Sequence, residues 1–247
     1  MRVATFNIFS GRSTDGTYDE QRFGEALASL DADLIGLQEV DRFQSRSGRA
    51  DLVAVAAQAT GAVAHRFAPA LAGTPAGWVE ATGAEPEGSP LYGIAFLSRH
   101  PVRSWRVLRI APAPVRLPYR EHRQLVWVRD ETRAAILAEV ETPGGLLDVV
   151  TTHLSFLRPW NRWQLRRLVG DLPPATHPRI VLGDLNMGAR PARALTGMRS
   201  LAPGQTFPTH RPRTQIDHIL GSREIRATTC RVVALPMSDH RALTVDL

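Results

Sequence analysis

The sequence predicts one domain of the α/β class, in which helices pack against β-sheets. It opens with a strand, an amphipathic helix and a second strand, and this order implies a sheet with a helix on its face. From residue 91 onward most of the predicted elements are strands separated by turns. No repeat, low-complexity tract or linker interrupts the 247 residues, which are enough to bury a large core. Residues 1–247 are therefore predicted to form a single domain.

The first third of the chain alternates strands with helices. Residues 3–8 show the apolar and polar alternation of a strand, and Phe23 and Leu27 recur at helical spacing in a helix over 19–30. The elements predicted next are a strand over 34–39, a helix over 50–60 that stops at Gly61, and a strand over 62–68. Residues 71–90 are rich in Gly and Pro, and they are predicted to be an irregular loop, either a cleft wall or a flexible insertion.

The remainder of the chain is predicted to be mostly β. The predicted strands cover residues 91–97, 102–110, 124–128, 134–141, 146–152, 179–182, 215–220, 231–235 and 242–245. A helix starts at Pro159, and spacing predicts that its buried face carries Trp160, Trp163, Leu168, Val169 and Leu172. An Arg cluster on its other face is either solvated or a contact for phosphate or lipid. A loop of weak helical character follows the strand over 179–182.

Composition limits the cellular setting and the type of partner. Cys230 is the only cysteine, so neither an intrachain disulfide nor a cysteine-based metal site can form. The sequence has no recognisable leader and no apolar run of about 18 residues, so we expect a cytoplasmic protein without a transmembrane segment. All 30 basic residues are Arg, and the net charge is +6. Because these residues are scattered, the charge permits an anionic substrate without requiring nucleic acid.

One short segment carries the first sign of chemistry. The predicted strand over 179–182 is followed directly by Gly183, Asp184, Leu185 and Asn186. Side chains two positions apart on an extended chain point the same way, so Asp184 and Asn186 would aim together off the end of a sheet. Gly-Asp-x-Asn by itself is also typical of a turn or a helix cap, and other parts of the chain must decide between these interpretations.

Further polar residues follow or interrupt apolar strands throughout the chain. The full set is Asn7, Glu39, His153, Asp184, Asn186, Asp217, Asp239 and His240. So many oxygen donors and imidazoles beside buried strands would be costly unless they converge on a cation and on one another. Carboxylates and carboxamides without thiolates are the ligands of a hard cation, which favours Mg²⁺, or Mn²⁺, over zinc.

These motifs, in this order, resemble those of the endonuclease/exonuclease/phosphatase superfamily, the DNase-I-like fold. The matching segments run from Thr5-Phe6-Asn7 to Ser238-Asp239-His240-Arg241-Ala242-Leu243, and they cover essentially the whole chain. The resemblance implies an α/β (α+β) fold, a four-layer sandwich of two mixed β-sheets flanked by helices. It also implies that the site lies at one end, between the sheets.

The resemblance further implies a role for each matched residue. Glu39 would be the main Mg²⁺ ligand, with Asn7 and Asp239 near the metal. Asp184 and Asn186 would contribute to the metal site, position the attacking water and bind the scissile phosphate. His153 would contact phosphate oxygens, and His240 would be oriented by Asp217. Which group is the general base, and whether one or two metals bind, stays open.

Four further residues have less specific signals. Tyr92 is a candidate aromatic contact for nucleic acid, and Arg133 is a candidate phosphate contact because an Arg fork matches phosphate oxygens. A surface salt bridge is an equal alternative for Arg133. For His210 and His218 the expected role is structural, as exposed or packed histidines.

The predicted function is metal-dependent hydrolysis of phosphate esters by a monomer. Nuclease action is the first hypothesis, with nucleic acid as the partner. The second is a phosphatase or phospholipase C-like enzyme acting on inositol phosphates, sphingomyelin or other lipid headgroups, with peripheral membrane contact. Exposed apolar segments near Leu117-Pro118-Tyr119 or Trp160 to Trp163 would serve such an enzyme. A catalytically silent binding module on the same fold is the third.

Overall fold

The strands of the protein carry most of its regular structure. Its computed structural model describes residues 1–121 and 124–247. The strands are, in chain order, β1 (Arg2–Asn7), β2 (Leu34–Arg42), β3 (Ala64–Ala72), β4 (Val79–Glu80), β5 (Leu91–Ser98), β6 (Val102–Ile110), β7 (Leu117–Glu121), β8 (Gln124–Val128), β9 (Arg133–Thr142), β10 (Gly145–His153), β11 (Arg179–Asp184), β12 (Arg199–Ser200), β13 (Asp217–Gly221), β14 (Thr229–Val233) and β15 (Ala242–Asp246).

The strands form two mixed sheets and a small ribbon. The seven-stranded sheet has the order β14-β15-β1-β2-β5-β3-β4, and the six-stranded sheet has the order β12-β13-β11-β10-β9-β6. Each contains one parallel pair near its centre, β1 with β2 and β10 with β11, while its other pairs are antiparallel. The two-stranded ribbon pairs β7 with β8.

Helices cover the outer faces of both sheets. They are α1 (Glu20–Ala28), α2 (Leu52–Thr60), α3 (Trp160–Asp171) and α4 (Ala189–Thr196). The Asp19 side chain accepts a hydrogen bond from the Arg22 amide at 2.7 Å, and Asp51 accepts from the amides of Val53 and Ala54, so both carboxylates satisfy free amides at a helix start. Among the described residues, the helices are all too short or too polar to cross a membrane.

Three apolar clusters hold the four layers together. The central cluster fills the space between the sheets and includes Phe96, Ile136 and Leu182. A second joins the seven-stranded sheet to α1 and α2, and a third joins the six-stranded sheet to α3 and α4. The predicted sandwich of two mixed sheets flanked by helices is therefore confirmed.

The predicted buried face of α3 was wrong at its Trp residues. Leu168 is buried as predicted, and Val169 and Leu172 pack against the third cluster. The buried face also carries Asn161 and Gln164, whereas Trp163 is 40% exposed and stacks on Trp160 with ring centroids 4.3 Å apart. Helical spacing alone could not identify the buried face of α3, because it counts apolar residues. The positions that are buried in place of the Trp residues carry polar side chains with specific hydrogen bonds.

Three segments have more regular structure than the sequence predicted. The stretch over 71–90 begins inside β3 and contains the short strand β4, which pairs with β3. The segment Leu117-Pro118-Tyr119 is part of β7 rather than a loop. The weakly helical loop after β11 contains α4. In each case the element is short, so pairing or packing with a neighbour stabilises it more than local pattern does.

The close approach of the two sheets depends on Gly36 in β2. A Cβ atom at Gly36 would collide with the Leu182 side chain and lie 2.5 Å from Thr151 Oγ1, both in the six-stranded sheet. We expect Gly36→Val to lower the free energy of unfolding by about 1–3 kcal/mol, because it overpacks this contact. Urea unfolding measures the change.

Gly170 in α3 provides the matched control. A Cβ atom there meets no other atom within 4 Å, so Gly170→Ala should stabilise the protein by about 0.5–1 kcal/mol through helix propensity. Equal effects of the two substitutions would contradict the proposed role of Gly36.

Candidate active site

Polar side chains from both sheets meet at one end of the sandwich. Along β1 and β11, Val3 and Leu182 face the central cluster, and Asn7 and Asp184 continue these inward-facing rows at the strand ends. In the six-stranded sheet Asp184 is paired with His153 on one side and Asp217 on the other. The strand ends therefore place these groups side by side.

An open cleft of about 310 Å³ lies over this meeting point. Of the residues that the sequence predicted for the site, those that line the cleft are Glu39, Tyr92, Arg133, His153, Asp184, Asn186, Asp239 and His240. The other two, Asn7 and Asp217, are fully buried and bond to residues of the cleft. The structure thus brings together all of the predicted site residues.

Glu39 reaches the cleft through an irregularity in β2. The pairing of β2 with β5 shifts between Leu37 and Val40, and Glu39 has a φ of 56°. A bulge of this kind redirects a side chain that regular alternation would point to the other face. Positive φ is costly for a residue with a Cβ atom, and such strain clusters at functional sites.

The turn after β11 aims Asp184 and Asn186. Gly183 has a φ of 138°, and a Cβ atom there would collide with the backbone of Thr152 in β10. Asn186, with a φ of 51°, donates its backbone N–H to Asp184 Oδ1 at 2.9 Å. Its side-chain Nδ2 donates to the Leu154 carbonyl at 2.9 Å and lies 3.4 Å from His153 Nε2.

The Asp184 carboxylate is the centre of the cleft. Its Oδ2 accepts a hydrogen bond from Asn7 Nδ2 at 3.1 Å and lies 3.6 Å from His153 Nε2 and 3.8 Å from His240 Nε2. Burial, together with the nearby carboxylate of Asp217, raises the pKa of Asp184 to about 7. Asp184 is therefore able to gain or lose a proton near neutral pH.

The two imidazoles beside Asp184 differ in charge. Burial and the positive charge of Arg133 hold the pKa of His153 well below its usual range, so His153 is neutral and its contact with Asp184 is not an ion pair. Burial would also lower the pKa of His240. Three carboxylates outweigh burial and raise this pKa to about 10, and they belong to Asp217, Asp184 and Asp239. The Asp217 Oδ2 atom lies 2.9 Å from His240 Nδ1. His240 is therefore an imidazolium at neutral pH.

The donor set of the cleft fits a hard divalent cation. Asn7 Nδ2 donates to Glu39 Oε1 at 3.0 Å, and its Oδ1 accepts from the Phe9 amide at 3.1 Å, so the Glu39 carboxylate is held at the cleft floor. Loss of hydration raises the pKa of Glu39, which indicates that its negative charge lacks a full counter-charge. Asp239 also contributes negative charge beside it.

A second grouping of metal-ligand types is explained without a metal. One ligand atom from each of Asp184, Asp217 and His240 lies within 4.8 Å of the others. Because His240 Nδ1 is already bonded to Asp217, we attribute this grouping to a carboxylate–imidazole pair. The oxygen ligands available to a cation are those on the Glu39 side of the cleft.

Arg133 is buried rather than at the surface. Its side chain forms one ion pair, from its Nη2 to Glu131 Oε2 at 3.4 Å, and its Nε has no hydrogen-bond partner among the described residues. Arg133 therefore does form a salt bridge, but its guanidinium is buried and not at the surface as that alternative expected. Tyr92 also lines the cleft, and burial and the charge of Glu39 raise the pKa of its hydroxyl well above its usual value.

Several supporting residues were not found from the sequence. Asn161 of α3 is buried and donates to the Asn186 carbonyl at 2.7 Å. Ser238 donates to the Asn7 carbonyl at 2.6 Å and accepts from the His240 amide at 3.0 Å, tying β1 to the loop before β15. Phe207 packs on the His240 ring with centroids 4.9 Å apart. Only Ser238, beside Asp-His, had a motif as a signal.

The remaining histidines discussed above lie outside the cleft lining. His218 is fully buried with its Nε2 2.8 Å from the Met187 carbonyl, and His210 is exposed. Both placements agree with a structural role.

Comparison with known proteins places this site in a family context. The sequence profile described as "Endonuclease/Exonuclease/phosphatase family" matches residues 4–240. No curated protein sequence matches the chain.

Solved structures of low sequence identity share the fold. An endonuclease/exonuclease/phosphatase from Beutenbergia cavernae DSM 12333 is 21% identical, with a TM-score of 0.67 over 99% of this chain and 70% of that one. A mannosyl-6-phosphatase from Bacteroides thetaiotaomicron VPI-5482 is 15% identical, with a TM-score of 0.69 over 100% of this chain and 98% of that one. Beta toxin from Staphylococcus aureus, solved with bound magnesium ions, is 13% identical, with a TM-score of 0.64 over 99% of this chain and 98% of that one.

These structural similarities extend over nearly the full length of the chain and show the same two-sheet sandwich. The profile match covers the segments that contribute the cleft residues, from Asn7 to His240. The chain therefore belongs to the endonuclease/exonuclease/phosphatase family of phosphate-ester hydrolases.

Proposed function

We propose that this chain is a divalent-metal-dependent phosphodiesterase of nuclease type. The observation that carries the proposal is the convergence, in one cleft, of the Asp217–His240 pair, the Asp184 carboxylate and the Glu39–Asn7 pair. Hydrolysis of a phosphate ester needs a neutralised phosphate, an oriented water and a protonated leaving group. The groups in the cleft supply each of these.

Arg133, His153 and Asn186 are proposed to bind the phosphate. The Arg133 guanidinium lines the cleft and has an Nε without a partner among the described residues, and an Arg fork matches two phosphate oxygens. Neutral His153 and the Asn186 amide lie side by side on the adjacent wall, where each can donate a hydrogen bond. Their fixed positions orient the phosphate before reaction.

Asp184 and His240 are proposed to handle the protons. Without a cation the pKa of Asp184 is about 7, and a cation bound beside it would keep the group a carboxylate, the form that takes a proton from the attacking water. His240, an imidazolium held by Asp217, places a positive charge with an N–H next to the reacting phosphate. It is able to stabilise developing negative charge or protonate the leaving oxygen.

A divalent cation, Mg²⁺ or Mn²⁺, is the proposed cofactor. Glu39 would be its main ligand, with Asn7 and Asp239 beside it and with Asp184 and Asn186 on the facing turn. The cation would act as a Lewis acid that neutralises phosphate charge. Magnesium in the beta toxin of the same fold supports this choice.

Exposed arginines support nucleic acid as the first substrate to test. Arg158 follows the strand that ends in His153, and Arg211 and Arg213 precede the strand that begins with Asp217; all three are exposed. These positions place positive charge on loops at the cleft end of the sandwich, where a phosphate backbone would lie.

A lipid headgroup is the second candidate substrate. On the ribbon, Leu125 and Trp127 share one face and are 66% and 62% exposed, and Tyr119 on the other face lines the cleft. Exposed apolar side chains beside a cleft are typical of a surface that contacts a membrane or another partner.

Metal-dependent nicking of supercoiled plasmid tests the nuclease proposal. With Mg²⁺ or Mn²⁺ at low salt, wild type should nick the plasmid, and EDTA should abolish nicking. His240→Ala and Asp217→Asn should each lower the rate by about 100- to 10,000-fold, because the imidazolium is lost or left without its carboxylate. His65→Ala serves as the control, since His65 is exposed at the far end of β3.

The outcome also discriminates between the two substrates. Equal nicking rates for His240→Ala and wild type would contradict the proposal that this cleft is the active site. If wild type does not nick the plasmid but releases the headgroup from sphingomyelin or phosphatidylcholine vesicles in a His240-dependent way, the lipid proposal replaces the nuclease proposal.

Thermal unfolding tests the metal site without requiring activity. Mg²⁺ at about 100 times its Kd should stabilise wild type by about 2.7 kcal/mol and raise its Tm by about 5–10 °C. Glu39→Gln should lose this shift, and its metal-free form should be more stable than metal-free wild type, because a poorly hydrated charge is removed.

Glu25→Gln is the matched control, because Glu25 is exposed on α1. It should keep the full shift with Mg²⁺. A full shift in Glu39→Gln as well would show that the cation binds elsewhere.

A further inference from the structure

A second and larger cavity lies next to the catalytic cleft. Its volume is about 520 Å³, against about 310 Å³ for the cleft itself. It is formed by the segment around β4, the loop after β6 and the segment that joins β8 to β9. Volumes in this range are typical of small-molecule sites.

Two contacts join the cavity to the cleft. Glu131 lines both spaces. Trp78 of the cavity packs against Tyr92 of the cleft, with ring centroids 5.6 Å apart. The two spaces are therefore adjacent, and a substrate whose phosphate lies in the cleft can extend toward the cavity.

The aromatic wall of the cavity is held in place. The Arg46 guanidinium lies 5.7 Å from the Trp78 ring centroid and 5.4 Å from that of Tyr92. Arg46 is itself paired with the buried Asp41 carboxylate at 2.8 Å. Trp78, which is only partly exposed, therefore presents a fixed aromatic surface to a ligand.

The polar groups of the cavity favour a ligand that donates hydrogen bonds. Glu80 and Glu131 line it with carboxylates, of which Glu131 is also paired with Arg133 of the cleft at 3.4 Å, and Arg129 contributes one cation. Asp130 is part of the scaffold, because its oxygens accept hydrogen bonds from the Ala113 amide at 2.9 Å and from Ser155 Oγ at 2.6 Å. Carboxylates repel a second phosphate and accept hydrogen bonds from hydroxyl or amino groups.

We infer that this cavity binds an uncharged, hydrogen-bond-donating ring attached to the phosphate of the substrate. The ring stacks on Trp78, and its donors meet Glu80 and Glu131. A nucleobase with its ribose and a sugar ring share this chemistry. The inference rests on the proposed phosphate-ester hydrolase activity and adds that one small ring, rather than a second phosphate, occupies the adjacent space.

Three diesters that share a p-nitrophenolate leaving group test the inference. They carry methyl, thymidine 5′ or glucose 6 as the second ester group, and nitrophenolate release is followed with Mg²⁺ or Mn²⁺. Wild type should show a higher kcat/KM for at least one ring diester than for the methyl diester. Trp78→Ala should raise KM for that ring diester about tenfold, with little change for methyl.

The matched control is Trp163→Ala, a Trp on α3 that lines neither space. It should leave all three rates unchanged. Glu80→Gln should raise KM for the two ring diesters and leave KM for the methyl diester unchanged. No preference for either ring in wild type, or an equal loss for all three diesters in Trp78→Ala, would overturn the inference while leaving the hydrolase proposal intact.

Direct binding separates failure of the inference from failure of the proposed function. If no diester is cleaved, calorimetry compares thymidine 5′-phosphate, glucose 6-phosphate and inorganic phosphate on wild type and Trp78→Ala. Tighter binding of a ring phosphate than of inorganic phosphate, lost in Trp78→Ala, supports the cavity even without turnover. Equal binding of all three ligands overturns it.

Discussion

The close packing of the two sheets is the constraint on which the rest of the structure depends. Their inner faces meet where Gly36 of β2 lies against Leu182 and Thr151, and a larger side chain fits there only if these side chains or the sheets shift. Close packing also brings the strand ends of the two sheets together. Asn7 from one sheet donates to Asp184 from the other at 3.1 Å.

The same closeness concentrates charge at one end of the sandwich. Burial and the charge of Asp217 raise the pKa of Asp184, and burial and the charge of Asp239 raise the pKa of Glu39. His240 offsets part of this negative charge from within the site. Burying carboxylates without a full counter-charge lowers stability, and such a loss of stability is common at functional sites.

Local pattern predicted much of the fold, and it failed where packing decided. Strands such as β6 and β8 follow their sequence patterns closely, since alternation and turn residues mark their limits. The face of α3 could not be read in this way. Asn161 and Gln164 are buried there because they bond to the Asn186 carbonyl and to the Ser155 amide, and spacing contains no information about these distant partners.

The sequence by itself determined the inward-facing rows of the site, because side chains alternate with a period of two along any strand. Asp184 extends the apolar row of Ile180 and Leu182, and Asn7 extends the row of Val3 and Thr5. Only the tertiary structure decided how Glu39 points, since its bulge and positive φ arise from pairing with a strand far away in the chain. It likewise decided the contact of His240 with Asp217, and the placement of Trp78 beside the cleft, because each depends on how separate loops pack.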